Sequence, residues 1–249
     1  MKISFMFERC IAVGVLIMLW ASAVLANISV VLYDNFDDGT YNGWSVTYSP
    51  HPAYPTYSTY PPDIVSSPQG YALRGISSGY HSNPASTFIS TPFNVSNVGP
   101  LTLEMRAKSG PDWPNSIELV LFSGQDFYRV RDHGEANKQA VFGTYVNSIE
   151  YNYLHSIGDR AYEWHDFALS RDSAGWWSLK IDGTAEVADF YQDTQLTSFD
   201  FIGIQLLRNQ SEIEWVRVSA EVVPVPGALL LGTVGLGVSS LLCRRHRRS

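Results

Sequence analysis

The 249-residue sequence predicts an all-β domain, a two-sheet antiparallel sandwich, set between two apolar ends. Short apolar runs alternate with period two, most plainly in Leu101-Thr102-Leu103-Glu104-Met105-Arg106-Ala107-Lys108, where Leu101, Leu103, Met105 and Ala107 share one face. Turn residues (Gly, Asn, Asp) separate such runs throughout, with no helical period of useful length and no internal repeat. Charge-free stretches close both ends of the chain, which confines the sandwich to residues 27–222.

Composition narrows the function classes before any motif is considered. The chain carries 17 Lys+Arg against 24 Asp+Glu, and once the charged ends are removed residues 27–223 retain 11 basic and 23 acidic side chains, a net charge of −12. An acidic body repels phosphate backbones, so nucleic acid is excluded as a partner and other polyanions are disfavoured. Seven Trp, 14 Tyr and 12 Phe supply ample apolar area for a core and exclude a disordered chain.

At the N-terminus Lys2 and Arg9 precede an uncharged run from Cys10 to Ala26 that closes on Ala23-Val24-Leu25-Ala26. That layout predicts a secretory signal peptide over residues 1–26, cleaved after Ala26. An uncleaved anchor helix is the alternative, because no charge appears until Asp34. The following strands are read from their alternation and their breaks. Ile117-Glu118-Leu119-Val120-Leu121-Phe122 and Phe127-Tyr128-Arg129-Val130-Arg131 flank Ser123-Gly124-Gln125-Asp126. Trp164–Leu169 runs into the turn-rich Arg171-Asp172-Ser173-Ala174-Gly175, and Trp177, Leu179 and Ile181 then alternate up to Asp182-Gly183, a dipeptide suited to a turn with positive φ. Phe199–Leu207 and Ile213–Val222 complete the set. Trp44, Trp164, Trp177 and Trp215 are read as core.

The C-terminus has three parts. Val223-Pro224-Val225-Pro226-Gly227 is stiff and extended, since each proline fixes its own φ and biases its predecessor away from helix. Residues 227–243 carry no charge and would reach about 26 Å as a helix, close to a bilayer's hydrocarbon thickness. Arg244, Arg245, Arg247 and Arg248 then end the chain, a cluster expected to stay cytoplasmic with the acidic body outside. Gly232, Gly235 and Gly237 would give the helix a thin packing face. Cys10 and Cys243 both fall in the ends, so the sandwich has no disulfide.

The tail resembles the PEP-CTERM sorting signal of bacterial surface proteins over residues 223–249, with Pro224, Pro226 and Gly227 at the motif and Arg244–Arg248 as the basic stop; Val225 stands where that family usually has Glu. The resemblance implies export, membrane retention through the 227–243 helix, cleavage by an exosortase, and a place at the cell surface or in an extracellular polysaccharide matrix. A second resemblance covers the sandwich. Asp34-Asn35-Phe36-Asp37-Asp38-Gly39, Asn42-Gly43-Trp44, Tyr71-Ala72-Leu73-Arg74-Gly75, Glu163–Phe167, Trp177–Gly183 and Ile213–Val218 together resemble concanavalin-like (laminin G-like) jelly rolls, with a galactose-binding-like sandwich as the competing reading.

That superfamily's implications set the candidate sites. Its glycosidases place an acidic pair at i and i+4 on one strand face, about 5 Å apart, but Glu104 and Glu118 are the only acids centred in apolar strands and neither has an acidic neighbour at i+2 or i+4. A glycan-active enzyme is therefore the alternative, and a non-catalytic carbohydrate-binding or envelope-padding protein the leading reading; a surface protein-interaction module is a third. The resemblance also implies a structural Ca²⁺ held by Asp34, Asp37 and Asp38 near the N-terminus with Glu214 on the last strand, against local Asx turns as the plainer account. The histidines show no metal-ligand spacing. For sugar stacking the candidates are Tyr54, Tyr57 and Tyr60, spaced by three in a proline-rich segment whose polyproline II form would line them along one edge, together with Trp113 and Trp176. The competing account lays those tyrosines flat over an apolar edge of the sandwich.

Overall fold

A computed structural model describes residues 28–46, 61–75, 86–110, 116–133, 139–156, 163–207 and 211–222. The expected signal peptide and the whole sorting tail, including its 227–243 helix, lie outside these residues. Among the described residues no helix is long and apolar enough to cross a membrane. The strands, in chain order, are β1 (Ile28–Asp34), β2 (Ser45–Val46), β3 (Asp63–Ser67), β4 (Gly70–Arg74), β5 (Ser86–Val95), β6 (Val98–Lys108), β7 (Ser116–Ser123) and β8 (Asp126–His133). Then follow β9 (Gln139–Val146), β10 (Ile149–Ser156), β11 (His165–Arg171), β12 (Trp176–Ile181), β13 (Thr184–Gln192), β14 (Phe199–Leu207) and β15 (Glu212–Val222).

The chain forms the all-β jelly roll expected of it. Sheet I runs β13-β12-β11-β6-β15-β4-β3, with β1 also paired to β15, and sheet II runs β10-β9-β8-β7-β14-β5-β2. The first and last strands, β1 and β15, are neighbours. Alternation decides which face of each strand turns inward. On β6, Leu101, Leu103, Met105 and Ala107 are buried while Thr102, Glu104, Arg106 and Lys108 point out, and β11 and β12 repeat the pattern. Strand β7 instead is buried on both faces: Ile117, Leu119 and Leu121 join the core between the sheets, and Val120 and Phe122 belong to a second cluster on the outer side of sheet II.

Two features close the edges of the core. Tyr151 on β10 stacks on Tyr191 of β13 at 4.4 Å and Tyr153 on Phe190 at 4.5 Å, zipping the two sheets along one side with flat rings. Arg171 threads into one end of the sandwich and gives its guanidinium to the carbonyls of Leu196, Val98 and Gly99 at 2.8, 3.2 and 2.9 Å. It also donates to the Tyr128 hydroxyl, which donates in turn to Asp193 at 2.7 Å. Burial pushes the Tyr128 phenol far up, so it stays a donor at any ordinary pH.

Two assignments from sequence need correcting. Trp44 and Trp177 are core residues, but Trp164 and Trp215 lie half-buried on the outer face of sheet I. The reason is local. Trp164 immediately precedes the inward-facing His165 and so points outward, its ring within cation–π reach of Lys108 (5.2 Å) and Arg106 (6.0 Å). A register shift between Ile213 and Trp215 turns Trp215 out and leaves Val216 facing in.

Candidate functional site

The outer face of sheet II is where unusual chemistry collects, and strand register explains how. The two-residue turn at Gly124–Gln125 fixes the β7–β8 hairpin, so that Phe122 opposes Phe127 and Glu118 opposes Arg131. Pairing onward sets Phe127 against Tyr145 on β9, and Phe122 against Phe201 on β14, which itself opposes Pro92 on β5. The result is a row of side chains crossing five strands at one level. Its rings are in contact throughout: Tyr145 stacks on Phe127 at 5.8 Å, Phe127 meets Phe122 at 5.8 Å, and Phe122 stacks on Phe201 at 4.7 Å. Phe88 closes on Phe122 edge-on at 6.2 Å. Each such pair adds about 0.5–1.5 kcal/mol beyond its burial. Phe122, Phe127 and Phe88 are buried, whereas Tyr145 and Phe201 at the two ends are only half-buried.

Beside this row runs a charged one. Glu118 carries an ion pair on each oxygen, Oε1 with Arg131 Nε at 3.0 Å and Oε2 with Arg129 Nη1 at 3.5 Å. Arg129 reaches on across β9 to Asn152 Oδ1 (2.8 Å) and Glu150 Oε1 (3.2 Å) on β10. Gly143 makes that crossing possible, because a Cβ there would fall 2.3 Å from Arg129 Nε and 2.8 Å from Asn152 Oδ1. Gly203 does the same for the rings, since its Cβ would stand 2.4 Å from Phe88 Cζ. Glycine in a strand interior costs stability, so both mark places where another group must approach the backbone. Two glutamates face two arginines in this row, and among the described residues their charges balance.

Glycosidase chemistry needs an acid and a second carboxylate placed about the scissile bond. On β7 the positions two and four beyond Glu118 are Val120 and Phe122. Glu118 and Glu150 do share this face, but Arg129 pairs with both and fills the space between them, where a glycosidic oxygen would have to sit. Glu104, the other acid centred in an apolar strand, is on the opposite side of the molecule and forms a two-pronged ion pair with Arg217. Glu104, Glu118 and Glu150 thus form no open acid–nucleophile pair.

The carboxylates expected to hold calcium are likewise committed. Asp34 accepts Phe36 N–H at 2.9 Å and Trp44 Nε1–H at 2.7 Å; Asp38 accepts both the backbone N–H and the hydroxyl of Thr40 at 2.8 Å. Asp37 takes the Asn35 amide and packs over Gly70, where a Cβ would lie 2.1 Å from its Oδ1. Glu214 Oε1 accepts Gln69 N–H at 2.8 Å, and Oε2 lies 2.7 Å from Arg106 Nε in an ion contact not aligned as a hydrogen bond. Asp37 and Glu214 therefore converge on the same Gln69–Gly70 turn from the two ends of the domain. A calcium ion takes six to eight oxygens, and here peptide N–H groups, an indole, an amide, a hydroxyl and a guanidinium already engage both oxygens of Asp34, Asp38 and Glu214 and one of Asp37. The residues as placed do not fit a cation, and among the described residues no three His, Cys, Asp or Glu side chains form a metal cluster.

Of the residues expected to stack on sugar, Tyr54, Tyr57, Tyr60 and Trp113 lie outside the described residues, as do Pro224, Pro226, Gly227, Arg244, Arg245, Arg247 and Arg248 of the sorting signal. Trp176 is 37% exposed on the outer face of sheet I, remote in the topology from the aromatic row. The sequence thus pointed to rings close in the chain and to single exposed tryptophans, while the rings that gather in space come from five different strands.

No family model and no curated protein matches the chain. Its fold is similar to that of a Bacillus licheniformis β-glucanase (TM-score 0.55, 12% identity, covering 76% of this chain and 97% of that one). It is also similar to a GH16 protein from the Bacteroides ovatus mixed-linkage glucan PUL, solved in complex with its product (TM-score 0.54, 11% identity, 75% and 99% covered). A third similar structure is the CBM2 module of the evolved Dit protein of Lactobacillus casei BL23 phage J-1 (TM-score 0.53, 13% identity, 80% and 99% covered). At these identities the likeness is one of fold.

Proposed function

We propose that this chain is an exported, exosortase-processed protein of the cell surface or extracellular matrix, whose jelly roll binds uncharged polysaccharide across the outer face of sheet II without cleaving it. One observation carries the binding half of this reading: the continuous ring row from Tyr145 to Phe201, laid beside a charged row already balanced within itself. Pyranose C–H groups pack against aromatic rings, and Tyr145 and Phe201, the half-buried ends of the row, are its rings open to such contact. The amide of Asn152 and the paired guanidiniums supply polar partners for hydroxyls. Because Glu118 and Glu150 neutralise Arg129 and Arg131, this row holds no surplus cation among the described residues to prefer a uronate, and the acidic body repels one further. The similar folds of a β-glucanase and a carbohydrate-binding module support a saccharide as ligand class. The export half rests on the terminal segments alone: the signal-like start, the proline motif, the apolar 227–243 stretch and the arginine stop.

Affinity electrophoresis of residues 27–222 through gels containing neutral glucans, and separately a polyuronate, tests the binding. Retardation by a neutral glucan and free passage through the polyuronate is expected, with Tyr145→Ala weakening retention about tenfold. Free passage through every neutral polymer would leave only a padding role. Mass spectrometry of the mature ends tests the processing, with an N-terminus at Asn27 and a C-terminus near Pro226 expected.

A further inference from the structure

Away from that face, the segment between β1 and β2 carries a reactive pair that the candidate site does not use. The sequence sets Asp or Asn directly before glycine at Asp38-Gly39, Asn42-Gly43 and Asp182-Gly183. In such a pair the glycine nitrogen lies beside the side-chain carbonyl carbon, and no Cβ crowds its approach, so the two can close a succinimide ring. Hydrogen bonds restrain two of the three. Both Asp38 oxygens accept from Thr40, and the Gly39 N–H donates to the Phe36 carbonyl at 2.9 Å. Asp182 Oδ1 accepts the Asp166 N–H at 3.0 Å, and Oδ2 lies 2.7 Å from His165 Nδ1. Asn42-Gly43 is not restrained in this way. The Trp44 N–H donates to the Tyr41 carbonyl at 3.0 Å, which puts Asn42 and Gly43 in the middle of a tight turn, with Gly43 at the positive φ (88°) that a type II turn requires. Both residues are exposed, and a Cβ on Gly43 would meet nothing within 4 Å. Asn42 donates its backbone N–H to the Thr40 hydroxyl at 3.3 Å, but among the described residues neither its side-chain amide nor the Gly43 N–H has a partner.

We propose that Asn42 is a site of spontaneous modification in the folded protein, where attack by the Gly43 nitrogen expels the side-chain amide. Asparagine is among the thermolabile side chains. The Gly43 nitrogen forms a bond to Asn42 Cγ, the Cγ–N bond of the amide breaks, and the proton from Gly43 leaves with it as ammonia. Water then opens the ring at one of its two carbonyls. One opening gives aspartate at position 42, and the other gives isoaspartate, in which the chain continues through the former side chain. No oxidant, reductant or second enzyme enters the balance. The consequences fall on the near neighbours. A new carboxylate joins a segment that already carries Asp34, Asp37 and Asp38. Isoaspartate also puts an extra backbone atom inside the turn that the Trp44–Tyr41 hydrogen bond closes. Trp44 is not free to follow, because it is buried, donates its indole N–H to Asp34 at 2.7 Å and packs against Phe36. Strand β2 begins at the next residue and pairs with Ser90 and Ile89 of β5, so the change bears on the edge of sheet II. None of this depends on what that sheet binds.

Peptide mapping by mass spectrometry tests this on the full chain in detergent micelles, kept in mildly alkaline buffer and compared with the same chain held in urea. Asn42 is expected to convert in the folded chain at a rate within about tenfold of its rate in urea. Asp38 and Asp182 are expected to isomerise only in urea, where their hydrogen bonds are gone. Asn42→Gln, whose longer side chain closes the ring poorly, should abolish the conversion and leave the turn in place. Folding that slows Asn42 by more than about tenfold would show that the turn shields the amide, and would overturn the proposal. So would a folded chain in which Asp38 or Asp182 rearranges as fast as Asn42 converts, or an undiminished conversion in Asn42→Gln.

Discussion

The two outer faces of the sandwich use the same side chains to opposite ends. On sheet I, Glu104 pairs with Arg217, Lys108 with Glu212 at 2.8 Å and Arg106 with Asp166 at 3.0 Å, a ladder of cross-strand contacts open to water. On sheet II, Glu118 and Arg129 are also cross-strand partners, yet their side chains are only 3% and 10% exposed, and a wall of phenyl rings adjoins them. The lesson is that charge pairing does not rank these faces; desolvation does. A pair in water gains little because the solvent already solvates both partners. A pair out of water is costly to assemble, and costlier to break, because breaking it strands a charge where nothing replaces the partner. These three pairs of sheet I therefore behave as a solvated cover, the buried Arg106–Glu214 contact excepted, and the charged row of sheet II as a rigid platform.

The sharpest way to break this comparison is Glu118→Ala. It takes the buried carboxylate from both Arg129 and Arg131, leaving Arg129 to Glu150 and Asn152 and Arg131 to Ser116, and the unfolding free energy should fall by about 3–5 kcal/mol, read by urea denaturation. A loss under about 1 kcal/mol would mean that water reaches the guanidiniums and that the two faces do not differ in kind. Gly143→Ala comes next. The new methyl must displace Arg129 Nε, which is not the free tip of a chain: the guanidinium beyond it is held through Nη1 by Glu118 and through Nη2 by Glu150 and Asn152. A cost of about 1–3 kcal/mol is expected, typical of overpacking, with polysaccharide retention lost in step if Arg129 positions the ligand's hydroxyls.

How far this contrast could be read from the chain itself differs between the faces. Sheet I was legible because one side of it is wet: Leu101, Leu103, Met105 and Ala107 alternate against Thr102, Glu104, Arg106 and Lys108, and Trp177, Leu179 and Ile181 against Trp176, Ser178 and Lys180. In Ile117–Phe122 the strand was legible but its faces were not, since both are buried and the period-two signal vanishes. The Gly124–Gln125 turn did hold the missing register, and counting outward from it would have placed Arg131 opposite Glu118 and Phe127 opposite Phe122. The β9–β10 hairpin escaped notice because Asn147 and Ser148 both take positive φ (52° and 66°) without a glycine to announce the turn. The β14 contribution to the ring row has no local signature at all, because Phe201 reaches Phe122 only through non-local pairing. At the N-terminus the acidic cluster and its local Asx turns, Asp34 to the Phe36 N–H and Asp38 to the Thr40 N–H, were legible, whereas the distant partners, the Trp44 indole on Asp34 and the Gln69 amide on Glu214, were not.

The smallest expected effect is the most diagnostic for sheet I. Arg217 is 48% exposed and grips Glu104 with two nitrogens, a geometry that would be strong if dry. Water on one side screens it, so a double-mutant cycle of Arg217→Ala with Glu104→Ala should return a coupling of about 0.2–1 kcal/mol. Molar salt should erase most of that coupling, since the screening length shrinks to about 3 Å. The same cycle on Glu118 and Arg129 should keep its value in salt, because ions do not enter a face whose neighbours are Phe122, Phe127 and Phe88. Salt sensitivity thus separates the two faces even where the coupling energies overlap. A Glu104–Arg217 coupling that survives molar salt would place that pair out of water, and with it the claim that the two faces of one sandwich were built for different work.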